Sequence, residues 1–384
     1  MLVAGEASGD ALAAELVEAL MAQTGGRLQC FGAGGPQMAA AGVDLAVDLT
    51  QHSTIGLVEV VRRYGTFRRI FSRLLDLAVE RRPDVVICVD FSGFNRRFAH
   101  ALRKRTRAGR GGWRPGIVQY VSPQVWASRP RRARALARDL DLLLAIFPFE
   151  PAWYAERAPE LHVEFVGHPM LDRYGTRTTA TTPGASADEQ HSGHAPRIAL
   201  LPGSREGEVR RHLPVMIEAA AAIRRARPDA TFRVVAAHGA LAPLVDRLSA
   251  CATGVDTQMG GLADALSSAD LAIASTGTVT MECAYFGVPT VAMYKTSWLT
   301  YTIGRRLVTV PHLAMPNLIA RTTLFPELVQ HEATPGRVAR EALQLLGDEA
   351  RRAEVKAGLA RVIASIGEPG ASGRAARAIV EMMR

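Results

Sequence analysis

Two short loops of this chain carry residue types and spacings that hold an anion. STGTVTMEC (275–283) leaves an apolar run through Gly277 and Thr278 and enters a helical pattern. Glycine opens backbone amides to a ligand, and a helix N-terminus carries about half a positive charge. The loop therefore suits a phosphate, although it lacks a lysine and P-loop spacing. Glu282 follows Thr278 by one helical turn, where its carboxylate can accept hydrogen bonds from ribose hydroxyls. LLPGSREGEV (200–209) repeats the theme: Gly203 permits close backbone approach, Ser204 can cap a helix, and Arg205 offers a bidentate guanidinium. Each loop alone could be an ordinary capped helix start. Phosphate loop, arginine and ribose acid together point to a nucleotide.

A different set lies in the first half. GEASGD (5–10) puts Glu6, Ser8 and Asp10 in one tight loop, and Asp90 ends the apolar run VVICVD, with Asn95 following. A partly desolvated carboxylate at a strand's C-terminal end suits a general base acting on a hydroxyl; a structural aspartate capping the next loop is the competing reading. GAGGPQM (32–38) lacks both the GxGxxG spacing and an acid about 20 residues on, so it reads as a tight glycine turn. His191 and His194 have no ligand partners nearby, so no metal is expected there. Four cysteines without a CxxC pair read as reduced thiols.

These loops need strands that end at them. Short β-branched runs alternate with longer helical ones through the chain, the pattern of α/β folds with mostly parallel sheets. In the first half the runs are LVA, LQCFGAG, PDVVICVD, GIVQYVS, LDLLLAIFPF and VEFVGHP. The segment 175–196 is rich in Thr, Ser and Gly and reads as a linker. The pattern then restarts with RIALLPGS, TFRVVAAH, LAIAST and GVPTVAMY. We expect two Rossmann-like domains facing a cleft, 1–174 with the candidate base and 197–360 with the nucleotide loops, and a C-terminal helix (361–384) packing back on the first domain.

Composition narrows the partners. The chain has 384 residues, 48% hydrophobic and 22% charged, with a net charge of +9. No apolar run approaches the length of a membrane span, and Glu6 and Asp10 interrupt any signal-peptide pattern, so a cytoplasmic location is expected. Residues 96–138 hold thirteen Arg and Lys and no acid, a patch suited to nucleic acid, anionic lipid headgroups or phosphorylated substrates. The pattern over 56–82 is amphipathic, with Val60, Tyr64, Phe67, Phe71, Leu74, Leu75 and Ala78 interleaved with arginines. It fits either a helix packed on its own sheet or one lying on an anionic membrane.

Together and in this order, AGEASGD, GLVEVV, YVSPQVWASRPRR, FPFEPAWY, VGHPMLD, LLPGSREGEV, STGTVTMEC, MPNLIA and PELVQ resemble the lipid-A-disaccharide synthases, glycosyltransferases of the two-domain B-type fold. The resemblance implies inverting transfer of diacylglucosamine from UDP to the 6-hydroxyl of diacylglucosamine 1-phosphate, without metal or other cofactor. It places Gly203, Ser204, Arg205, Gly277, Thr278, Glu282, Asn317 and Gln330 on the UDP side. Asp90 is the candidate base, with Glu6 and Asp10 beside it and Ser8 and Asn95 on the acceptor side. It also implies peripheral association with the cytoplasmic face of the inner membrane, no nucleic acid, and room for a homodimer. The sequence departs from the family pattern at Gly93, Ser128, Thr276 and Ala314. Alternatives are a UDP-sugar epimerase, a lipid-linked muramyl-peptide transferase, or a non-catalytic nucleic-acid-binding protein. The last predicts aromatics interleaved with the arginines of 96–138, and few are there.

Overall fold

The computed structural model describes residues 1–50, 64–108, 112–175 and 195–384. His191, His194, most of the 175–196 linker and the first part of the 56–82 pattern lie outside the described residues. The chain divides into two compact units, Met1–Thr176 with Ile366–Arg384, and Arg177–Ser365.

The first unit is built on seven strands: β1 (Leu2–Ala4), β2 (Phe31–Gly34), β3 (Asp44–Asp48), β4 (Val85–Val89), β5 (Gly116–Tyr120), β6 (Leu142–Ala145) and β7 (His162–Phe165). They pair in parallel in the order β3-β2-β1-β4-β5-β6-β7. Helices on both faces leave the central strands no solvated side, which is why VVICV and LLLA are apolar and buried at every position. The core gathers Val3, Val86, Cys88, Ile117 and Leu143 from the strands with Leu74, Phe98 and Leu102 from two helices.

The second unit repeats this plan with β8 (Arg197–Leu201), β9 (Thr231–Ala236), β10 (Val255–Met259), β11 (Leu271–Ser275), β12 (Thr290–Tyr294) and β13 (Glu327–Val329). The order is β10-β9-β8-β11-β12-β13, again all parallel. Both sheets thus reverse their direction of growth once, between β1 and β4 and between β8 and β11. Loops at the carboxyl ends of such a pair are spread apart and leave a crevice for ligand.

Two expectations meet the structure here. The helix Tyr64–Arg81 turns Ile70, Leu74, Leu75 and Ala78 into the core, so this part of the amphipathic pattern packs on its own sheet. The last helix, Ala371–Met383, belongs to the first unit. Gln23 Nε2 donates to Gly373 O at 2.7 Å, Arg374 Nε to Val166 O at 2.7 Å, and the Asp172 carboxylate takes the amides of Gly370, Ala371 and Ser372 at the helix start.

Candidate functional site

The loops at the first crossover meet end to end. Gly5 has no room for a side chain: a Cβ there would collide with the Phe91 ring, so the turn after β1 lies against the turn after β4. Asp90 and Phe91 both take left-handed backbone, with φ of 46° and 43°. Such residues cost roughly 1–3 kcal/mol each and persist only where their surroundings hold them.

The hold consists of two buried amides. Asn95 Nδ2 donates to Asp90 O at 2.9 Å and also reaches Val89 O and Val3 O. Gln119 Nε2 reaches Asp90 O, Tyr120 O and Val121 O at 3.1–3.2 Å, and Val121 is itself left-handed with φ 67°. Asp90 N donates to Tyr120 O at 2.9 Å. The carboxylate-bearing Cα of Asp90 is therefore fixed in place from β1, β4 and β5 at once. Asn95, fully buried, acts as a clamp on the backbone, its amide nitrogen spent on these three carbonyls.

The GEASGD loop divides. Glu6 is the N-cap residue of the helix Ala7–Thr24, half-buried beside the same turn, and Ser8 is exposed. Asp10 is 1% exposed, and its oxygens accept from Gly35 N at 2.8 Å, Gln37 N at 2.9 Å and Met38 N at 3.1 Å. This corrects the expectation that Asp10 joins the chemistry. Its carboxylate closes the N-terminus of the short helix Pro36–Ala40, a structural task that engages both oxygens with backbone amides. A Cβ on Gly35 would strike that carboxylate, which accounts for the glycine turn of GAGGPQM.

At the second crossover the backbone is carried by glycine. Gly203 has φ 112°, and a Cβ on it would meet the Glu208 carboxylate. The helix Glu206–Ala226 is capped at Arg205 and not at Ser204 as expected. Glu208 Oε2 accepts from Ser204 N at 3.2 Å and Arg205 N at 3.4 Å, while Arg205 Nη1 lies 3.5 Å from Glu208 Oε1. Beside it Gly277, with φ 154°, and Thr278 are exposed, and nothing lies within 4 Å of where a Gly277 Cβ would be. Thr280 Oγ1 donates to Gly277 O at 2.7 Å, fixing the loop from the helix Val279–Tyr285. Glu282 sits half-buried on that helix.

Asn317 and Gln330 lie on neighbouring segments and bond other turns. Asn317 is fully buried and saturated: Nδ2 donates to Phe325 O and Glu327 Oε1, and Oδ1 accepts from Leu324 N and Phe325 N, all at 2.7–2.9 Å. It shapes the turn before β13 and has no polar atom left for a ligand. Gln330, left-handed with φ 54°, pairs its side-chain amide with both backbone groups of Thr296 at 3.0 Å.

Four further residues support the loops. Gln119 stands out only as a polar residue inside a buried apolar strand. His212 ties Pro202 O to Lys295: its Nδ1 lies 2.9 Å from Pro202 O and its Nε2 accepts from Lys295 N at 2.9 Å, and burial holds its pKa below the ordinary histidine value. Glu208 has been described. Glu150 is fully buried, accepting from Trp126 Nε1 at 2.9 Å, Phe147 N at 3.1 Å and Ile146 N at 3.2 Å. Desolvation raises its carboxyl to about 7 against these hydrogen bonds. It joins the loops after β5 and β6.

A family model described as lipid-A-disaccharide synthetase matches residues 1–379. The lipid-A-disaccharide synthase of Geobacter sulfurreducens is 38% identical, covering 100% of this chain and 97% of that protein. That of Myxococcus xanthus is 37% identical with the same coverage. Among solved structures, UDP-GlcNAc 2-epimerase from Neisseria meningitidis bound to UDP-GlcNAc aligns with TM-score 0.61 and 12% identity over 100% of this chain and 98% of that one. The calicheamicin glycosyltransferase CalG4 aligns with TM-score 0.59 and 17% identity, covering 99% and 97%. At such identities these two speak to the fold alone, a two-sheet α/β architecture shared by glycosyltransferases and epimerases. The relatives do not favour the epimerase, muramyl-peptide or nucleic-acid alternatives.

Proposed function

The chain belongs to the lipid-A-disaccharide synthetase family, and from that premise we propose how its two crossovers divide one glycosyl transfer. The enzyme is a glycosyltransferase that moves 2,3-diacylglucosamine from UDP to the 6-hydroxyl of 2,3-diacylglucosamine 1-phosphate, with inversion. The products are the β-1,6-linked lipid A disaccharide and UDP.

Asp90 takes the proton of the acceptor hydroxyl as that oxygen attacks the anomeric carbon of the donor. The bond from that carbon to the diphosphate breaks on the opposite face, and its electron pair leaves with UDP. A base held rigidly at a strand end meets the geometric demand of a single displacement. The departing charge falls to Arg205, the dipole of the helix Glu206–Ala226, and the exposed turn at Gly277 and Thr278, with Glu282 set for the ribose. Such preorganised positive potential can stand in for a metal, so we expect no metal requirement. The observation that carries this reading is the strained, doubly clamped Asp90 at one crossover. Mass spectrometry of a reaction with UDP-diacylglucosamine and the 1-phosphate acceptor tests it: UDP and disaccharide should appear together and survive EDTA. UDP release without disaccharide would remove the assignment.

No helix among the described residues is long and apolar enough to cross a membrane. Both substrates carry acyl chains, and Arg68, Arg69 and Arg73 are exposed on the helix Tyr64–Arg81. We therefore propose peripheral contact with the anionic cytoplasmic face of the inner membrane. Flotation with phosphatidylglycerol vesicles should carry the protein upward at low salt; protein left wholly at the bottom would refute it. A homodimer is proposed on the family's account alone, and sedimentation velocity decides it.

A further inference from the structure

The basic stretch of 96–138 is not uniform once folded. Toward the amino ends of β5 and β6 several of its cations are matched. Arg103 is buried and bonded to Asp141 with further contacts to Asp139 O and Pro115 O. His100 and Arg138 face the Asp139 carboxylate, and Arg105 meets Asp76. Toward the carboxyl ends, where Asp90 stands, the picture reverses. Arg96 and Arg97 lie in the first turns of the helix Ser92–Ala108, which opens two residues after Asp90. Arg129 and Arg132 follow β5 through the short helix Val125–Ser128 and the turn Pro130–Arg132. Because β4 and β5 are neighbours in the sheet, these segments leave it side by side, and desolvation, with the guanidiniums of Arg129, Arg96 and Arg97 nearby, lowers the pKa of Arg132.

Among the described residues no carboxylate pairs with any of the four, and none of the three elements carries an acid in its first turn. The helix N-terminus of Ser92–Ala108 adds its dipole at the same end of the sheet. Like charges crowded without a counterion destabilise the protein unless an anion arrives.

We infer that Arg96, Arg97, Arg129 and Arg132 form a site for a phosphomonoester dianion, and that the dianion is the 1-phosphate of the sugar acceptor. The inference rests on the acceptor reading of the Asp90 crossover given above. Guanidinium groups suit this role because each offers paired donors to phosphate oxygens. The site would fix one end of the acceptor sugar while its 6-hydroxyl is presented to Asp90, making the phosphate a determinant of which acylated glucosamine is accepted.

The test is a steady-state comparison in detergent micelles of the 1-phosphate acceptor with the same diacylglucosamine lacking the phosphate. In the unaltered enzyme the phosphorylated acceptor should have the higher kcat/KM. In Arg129→Gln/Arg132→Gln that preference should shrink by about tenfold to a hundredfold through the acceptor KM, with the donor KM unmoved. Arg96→Gln should shrink it less, and unchanged Tm values would exclude misfolding. An equal fall for both acceptors, or an undiminished preference, overturns the inference. So does loss of phosphatidylglycerol-vesicle binding with the preference intact, which would assign the cluster to lipid headgroups. If the unaltered enzyme turned over neither acceptor, the function itself would fail, a result separate from all of these.

Discussion

The two crossovers reach unusual backbone by opposite means. At the first, residues with side chains, Asp90, Phe91 and Val121, are forced into left-handed conformation and pinned by the amides of Asn95 and Gln119. At the second, the freedom belongs to Gly203 and Gly277, which need no clamp of that kind. On the proposed division of roles, the difference follows from what each must offer. A proton acceptor has to be a side chain aimed in one direction, so strain is tolerated and held. A diphosphate is received by backbone and a nearby guanidinium, so the absence of a side chain is the useful property.

The comparison breaks most severely at the aimed side chain. Asp90→Asn should lower kcat by about 10²–10⁴-fold and leave UDP affinity unchanged by calorimetry, whereas Arg205→Ala should lower both. Near-normal turnover of Asp90→Asn would end the assignment of the base. Next comes the clamp: Gln119→Leu takes one donor from Asp90 O and Tyr120 O and the side-chain partner from Val121 O, an effect of about 1–3 kcal/mol on stability, and should lower kcat more than the donor KM. A variant with lower Tm and unchanged kcat would mean the strain has no part in aiming Asp90.

A gentler probe is pH. In the fold Glu150 holds its proton to about 7, above the unfolded carboxyl, so its contribution to stability is present at low pH and is lost as pH rises through about 7. His212 is held neutral by burial, with a folded pKa below the unfolded value of about 6.5, so its contribution is present above that pH and is lost on acidification. Thermal unfolding between pH 5 and 8 should therefore change slope in opposite senses for Glu150→Gln and His212→Gln. Parallel changes would contradict the assigned causes.

The candidate loops are legible because each is contiguous: PGSR, GTVTME and VVICVD keep their residues within a few positions. Their supports were not. Asn95 acts on Val3, 92 residues away, and His212 on Lys295, 83 away, pairings that exist only after the sheets assemble. Asp10 misled for the same reason, since the amides it caps begin 25 residues on and no local pattern announces them. The saturation of Asn317 is likewise a property of the turn before β13. The amphipathic pattern of 56–82 left two outcomes open, and for Tyr64–Arg81 the core took the apolar stripe because the neighbouring strands offered a larger apolar surface.

The return of Ile366–Arg384 to the first unit ties the beginning of the chain to residues that come after the whole second unit. The apolar face of the helix Ala7–Thr24 is covered only once Ala371–Met383 has been made. The first unit is therefore completed only after the second has been translated. A chain ended at Ser365 should keep UDP binding, lose transfer, and be cleaved by protease first within the amino-terminal unit.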